Sequence, residues 1–173
     1  MTMRERSNSE DRATGAFWEA QFITMAEEVV GVEAVGHQLG CSSAALFGEY
    51  IAPDVSLRTS PPEYHEIKHK DPHRGTYGLE EYRLRDLLRL SRLLDGEIFY
   101  TIHDHSSLGR DSLRNRLRDW RTVRVRDLAP EEGNWVSYRE IWSWRSGSPA
   151  RVPAYFWPVD LWRPLSRHWE EIE

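Results

Sequence analysis

The chain has 173 residues, of which 39% are hydrophobic and 29% charged, with a net charge of −5 and a single cysteine, Cys41. That length suits one domain large enough to bury a core, and no apolar run approaches the ~20 residues of a membrane-spanning helix. One cysteine excludes an internal disulfide and a four-cysteine zinc site, so Cys41 reads as a small packed or boundary residue.

The first 14 residues, polar and carrying both charge signs, read as a frayed tail before a single domain over 15–173. Without an apolar signal core, the expected compartment is the cytoplasm. Residues 16–30 place Phe17, Phe22, Met25 and Val29 at spacings that predict an amphipathic helix, with Gly31 as its stop. The following VEAVGHQL is short and ambiguous. YIAPDVSLR predicts a strand interrupted by Pro53, at an edge or a bend, and Pro61-Pro62 predicts a turn.

EYHEIKHK alternates, setting Tyr64, Glu66, Lys68 and Lys70 on one face and His65, Ile67 and His69 on the other. From Leu79 to Leu94, leucines at 84, 87, 88, 90 and 94 predict a helix closed by Asp95-Gly96. GEIFYTIHDH predicts a strand, DSLRNRLRDW a short helix, and TVRVRDL, WVSYREIWSW and VPAYFWPVDLW further strands. The order of elements predicts an α/β or α+β core with a mixed sheet.

Charge is unevenly spread. Residues 1–73 carry six basic against twelve acidic side chains, 74–126 twelve against eight, and 127–173 five against eight. A net charge of −5 argues against a nucleic-acid partner, and the positive middle inside an acidic chain softens that objection. Of the 23 basic residues only Lys68 and Lys70 are lysine. Arginine is planar and permanently charged, whereas lysine is a compact point charge with a tunable pKa, so these two mark places where arginine does not serve.

Pro53-Asp54, eleven intervening residues, then Glu66-Ile67-Lys68 resembles the signature of the PD-(D/E)XK nuclease superfamily. The order of elements over roughly residues 15–105 is similar as well, with a helix carrying Glu19 ahead of two strands, a helix and another strand. The resemblance implies a restriction-endonuclease-like α/β fold, with a central mixed sheet flanked by helices, and Mg²⁺-dependent hydrolysis of DNA, Mn²⁺ substituting. It implies Asp54, Glu66 and the Ile67 carbonyl as metal ligands, Lys68 beside the attacking water, and Glu19 orienting water or a second ion. The residue types suit that chemistry. Hard divalent ions prefer carboxylate and carbonyl oxygens, and residues two apart on a strand share a face about 6.6 Å apart, so a lysine can meet developing phosphoryl charge while a glutamate faces the metal. An ordinary solvated strand pair and an ordinary Pro-Asp turn would read the same way. A module of this fold that binds nucleic acid or assembles with protein but does not turn over is the alternative.

Among the other candidates, Arg114, Arg118 and Arg121, with Lys70, are the expected DNA contacts. Arg110, Arg116, Arg124 and Arg126 belong to the same fan, which a solvated helix face would equally explain. His103 and His105 would share a strand face, but nothing completes a zinc set, and a substrate-contacting or loop role is the reading kept. His65 and His69 point away from Glu66 and read as packing residues. Six of the eight tryptophans follow residue 134 and read as core or as a homodimer surface.

Overall fold

The structure, a computed structural model, describes residues 8–36, 53–104, 117, 119–145 and 148–170. Helix α1 (Asn8–Met25) opens the fold, continues through a wide π turn (Ala26–Val30), and ends where Gly31 takes φ 67°. It starts before the expected Ala16, so residues 8–14, read as tail, form its first turns. Strands β1 (Ala34–Gly36), β2 (Val55–Leu57), β3 (Glu63–Lys70) and β4 (Thr76–Glu80) lead into helix α2 (Glu81–Leu93). Strands β5 (Glu97–Asp104), β6 (Trp120–Arg124), β7 (Ser137–Arg145), β8 (Ser148–Pro158) and β9 (Arg163–Pro164) and helix α3 (Leu165–Glu170) complete it.

A six-stranded sheet runs β1-β2-β3-β5-β6-β9. Its centre, β3 beside β5, is parallel in register from Glu63↔Glu97 to Lys70↔Asp104. Parallel neighbours need a crossover, and the β4–α2 segment supplies it. The remaining pairs are antiparallel. Because β1 flanks β2, the Pro53 strand is not the edge of the sheet; the chain bends at Asp54 and pairs only from Val55. TVRVRDL, expected as one strand, is β6 followed by a 3-10 turn at Val125–Leu128 that buries Val125 and Leu128. Most of the DSLRNRLRDW segment lies outside the described residues.

Of the C-terminal strands, β9 joins the central sheet, but β7 and β8 do not. β4, β8 and β7 form a separate three-stranded antiparallel sheet. The two sheets and α2 enclose one core containing Leu79, Leu84, Leu87, Leu90, Ile98, Tyr100, Ile102, Trp157 and Trp162. On the other face of the central sheet α1 and α3 cover a second core of Phe22, Met25, Val55, Leu57, Ile67, Trp120 and Trp169. Alternation along β5 sorts its side chains between the two, Ile98, Tyr100 and Ile102 to the first.

Polar residues stitch the second face together. His65 Nδ1 lies 2.8 Å from Thr101 Oγ1, and that hydroxyl lies 2.8 Å from Thr122 Oγ1. His65 Nε2 and His168 Nε2 both donate to Glu63 Oε2, at 3.1 and 3.0 Å. His168 Nδ1 accepts from Arg163. All of Glu63, His65, Thr101, Thr122 and His168 are buried. A buried polar chain is stable only when each member is satisfied, and this one ties α3 to the centre of the sheet. Gly96, ahead of β5, is required by close approach: a Cβ there would lie 2.3 Å from the Pro62 carbonyl oxygen, which accepts from Glu97 N at 3.0 Å.

Candidate active site

The bend before β2 and the middle of β3 bring Asp54, Glu66 and Lys68 together. The β2–β3 register pairs Val55 with His65, so its extension sets Pro53 opposite Ile67. Proline has no N–H to give the ladder, and the Ile67 N–H donates to Asp54 Oδ2 at 2.7 Å. Proline and aspartate thus act jointly: one removes the partner strand's donor, and the other fixes a carboxylate over the gap. The Lys68 ammonium lies 2.8 Å from Glu66 Oε1 and 3.8 Å from Asp54 Oδ2. Both carboxylates therefore flank one cation, and the lysine remains 37% exposed while Glu66 is only 2% exposed.

Arg83, on α2, completes the constellation. Its Nε donates to Glu66 Oε1 at 3.0 Å and its terminal nitrogen to Oε2. Both carboxylate oxygens are thus held by one planar guanidinium. Arg83 was not singled out from sequence, although it is in line with Leu87 and Leu90 at four- and seven-residue spacing. An arginine on the buried stripe of a helix must meet a carboxylate, and that was the available signal.

Glu19, from α1, is half-buried and lies within electrostatic range of Lys68, Glu66 and Asp54. The group holds three carboxylates against two cations. Burial would raise the Glu66 carboxyl, but Lys68 and Arg83 outweigh it and hold the pKa at about 2. Burial, then the negative charge of Glu66, pushes Asp54 up to about 7 despite Lys68 and the Ile67 N–H. Burial also raises Glu19. For Lys68, burial is outweighed by Glu66 and Asp54, which raise it and keep it charged. Asp54 and Glu19 are thus the carboxyls whose charge the two cations do not fully offset.

The donor types suit a hard divalent cation: two carboxylates with the Ile67 carbonyl, beside a partly exposed lysine. Among the described residues no three histidine, cysteine, aspartate or glutamate side chains are grouped closely enough to hold an ion by themselves. A cation here would accordingly rely on the backbone carbonyl and on solvent.

The other expected residues fall elsewhere. The Lys70 ammonium turns inward, donating to the Gly78 carbonyl and lying 5.5 Å from the Tyr100 ring centre, and burial lowers its pKa to about 8. Arg121 is on β6, separated from β3 by β5. Arg114 and Arg118 lie outside the described residues, as do Arg110, Arg116, His105 and Cys41. Arg124 is exposed, and Arg126 donates to the Ser91 carbonyl near Glu97. His103 is no loop residue. It is 3% exposed on β5, 3.0 Å from His69 (Nδ1 to Nδ1), with the Trp18 ring stacked at 3.7 Å. His65 and His69 do face away from Glu66, as alternation requires. Of the late tryptophans, Trp157, Trp162 and Trp169 are core, whereas Trp135 and Trp142 are 40% and 64% exposed.

A central mixed sheet flanked by helices, with this strand order, has the restriction-endonuclease-like fold. Among solved structures the chain is similar to Hjc, a Holliday junction resolvase from the archaeal hyperthermophile Archaeoglobus fulgidus, with a TM-score of 0.53 and 10% identity over 91% of this chain and 96% of that one. At that identity the likeness concerns the fold. Neither a protein-family model nor a curated protein matches the chain. Among the described residues no helix is long and apolar enough to cross a membrane.

Proposed function

We propose that the chain is a nuclease that hydrolyses DNA phosphodiester bonds at Asp54, Glu66 and Lys68, with Mg²⁺ or Mn²⁺ as cofactor. The observation that carries this reading is the placement of the Asp54 and Glu66 carboxylates on either side of one ammonium, beneath a ladder opened by Pro53. When bound, the cation would supply Lewis acidity toward the phosphoryl oxygen and a more acidic water. Asp54, Glu66 and the Ile67 carbonyl would hold it. Lys68, charged and partly open to solvent, would stand where the phosphoryl group acquires negative charge. Glu19 would accept a hydrogen bond from water at the same centre.

The test is nicking of supercoiled plasmid in Mg²⁺, with EDTA as the blank. Lys68→Ala should abolish cleavage without lowering the melting temperature by more than a few degrees, because its main effect is on transition-state charge. Lys68→Arg should not restore full activity, since a wider guanidinium directs its donors differently. Cleavage by Lys68→Ala at the wild-type rate would overturn the assignment.

One observation favours a second reading, a binding module without turnover. Arg83 and Lys68 already occupy both oxygens of Glu66, and a cation must share that carboxylate with them. Calorimetric titration with Mn²⁺ separates the two. A wild-type chain that neither binds Mn²⁺ nor cuts DNA is the binding module.

A further inference from the structure

Away from the candidate centre, α2 and the three-stranded sheet enclose a cleft of about 240 Å³ whose lining includes Arg85, Arg89, Arg92, Leu88 and Tyr155. The three arginines follow one another at four and three residues, so they form a single stripe along α2. All three are exposed, and no hydrogen bond or ion pair is found for them among the described residues. Tyr155 also lines the cleft, and Tyr138 and Trp135 pack against it just outside the lining. Tyr155 packs with its ring centre 4.6 Å from Tyr138 and 5.6 Å from Trp135, which is anchored by its Nε1 donating to the Pro130 carbonyl at 3.2 Å. Tyr138 and Trp135 remain 47% and 40% exposed. Two acids also line the cleft, Glu81 and Glu131, and Glu81 accepts from the Tyr138 hydroxyl at 2.9 Å. The arginines outnumber them.

We infer that this cleft binds a single-stranded segment of nucleic acid, its phosphates along Arg85, Arg89 and Arg92 and its bases against Tyr155, Tyr138 and Trp135. The inference rests on reading the chain as an enzyme of nucleic acids and adds that its substrate carries an unpaired strand. The charge selects a polyanion, and guanidinium forks match phosphate oxygens. The aromatic rings select against other polyanions, because exposed rings beside cations reward flat bases by stacking. The concavity selects against an intact duplex, whose base faces are stacked on each other and cannot reach the rings. The cleft begins at the N-terminus of α2, where Glu80 accepts from Ser143 of β7 at 3.0 Å. Arg83 leaves that same helix turn toward Glu66.

The experiment uses the full chain in EDTA, so that binding is read without cleavage. Fluorescein-labelled oligothymidylate, oligouridylate and a blunt duplex are titrated by anisotropy across a salt series, with tryptophan emission recorded in parallel. The wild type should bind at least one single strand more tightly than the duplex, with quenching of tryptophan emission. The triple variant Arg85→Ala, Arg89→Ala, Arg92→Ala should bind it at least tenfold more weakly. The slope of log affinity against log salt should fall by about 2, from ~0.7 per phosphate contact on a single strand. Trp135→Ala should weaken binding roughly tenfold, within the range for loss of one base stack, and leave the salt slope unchanged. Arg167→Ala, at an exposed position of α3, should behave as wild type in both respects. Tighter binding of duplex, an unchanged slope in the triple variant, or equally tight binding of polyglutamate would each overturn the inference. Its failure is distinct from failure of the nuclease reading, which is judged by plasmid nicking at Lys68.

Discussion

Arg83 offers the sharpest test of how the centre is built. Glu66 is 2% exposed and its charge is held by Arg83 on both oxygens and by Lys68 on one. Substituting Arg83→Met keeps an unbranched side chain in the helix but removes the fork. Removing one partner of a buried ion pair typically costs 3–5 kcal/mol, and with Lys68 still in place the expected loss is about 3 kcal/mol. For a chain of this size each kcal/mol moves the melting temperature by roughly 2–4 °C, so a fall of roughly 6–12 °C is expected at pH 7. The loss has a pH signature. In the wild type Glu66 is held at about 2; without Arg83 that carboxyl rises, so protonation relieves the variant before the wild type. The gap in stability should therefore narrow as the pH falls below 5. A Glu66→Gln change placed on Arg83→Met should recover part of the loss, because it removes the stranded charge, and the two substitutions should be strongly non-additive. The assay is thermal melting by circular dichroism from pH 3 to 8. A single variant that melts within about 1 °C of wild type at pH 7, well below the expected shift, or a double variant that is additive, would refute this account of Glu66.

Two further outcomes concern the fold, and both are read by equilibrium unfolding. Burial would raise Glu63, but hydrogen bonds from His168 and His65 outweigh it and hold the carboxyl at about 2. A depressed carboxylate contributes stability above its unfolded pKa and loses it as the pH falls, so the Glu63 share should vanish between about pH 4.5 and pH 2. Glu63→Gln should weaken the fold at pH 7 and flatten this acid limb; an acid limb identical to wild type would refute the role given to Glu63. Gly96→Ala should cost about 1–3 kcal/mol, the usual range for forcing an atom into a packed site, since the new methyl meets the Pro62 carbonyl oxygen. Wild-type stability in that variant would show that the β3–β5 junction yields more easily than its geometry indicates.

The residues that could be read from sequence are those whose role is set by local period. Alternation in EYHEIKHK assigns Glu66 and Lys68 to one face and His65 and His69 to the other, and β3 has that arrangement. The leucine stripe gives α2 within a residue or two. What could not be read depends on partners distant in the chain. β4 follows β3 after a short turn, and nothing local reveals that it pairs with β8, about 80 residues later, instead of with the central sheet. His103 sits beside His105 at a strand end and reads as loop chemistry, but its surroundings come from Trp18 of α1 and His69 of β3. Glu63 has one partner two residues away, His65, but the other, His168, lies 105 residues away and leaves no local sign.

The choice of base at each position follows from the same geometry. In a chain with 21 arginines and two lysines, the lysines are the exceptions to be explained. At position 83 the base must hold two oxygens of one carboxylate within a packed helix–sheet contact, a task for a planar fork whose charge survives burial. At position 68 it must lie between two carboxylates, 2.8 Å from one and 3.8 Å from the other, with one side left open; a guanidinium wide enough to grip both would close that opening. At position 70 burial holds the pKa near 8 beside the Gly78 carbonyl and the Tyr100 ring, a state that arginine, which does not deprotonate in this range, would not reach. Exchanging Lys68 and Arg83 between lysine and arginine conserves net charge everywhere, yet the geometry predicts that neither exchange is silent. The first closes the opening beside position 68, and the second takes from Glu66 one of the two donors of the fork.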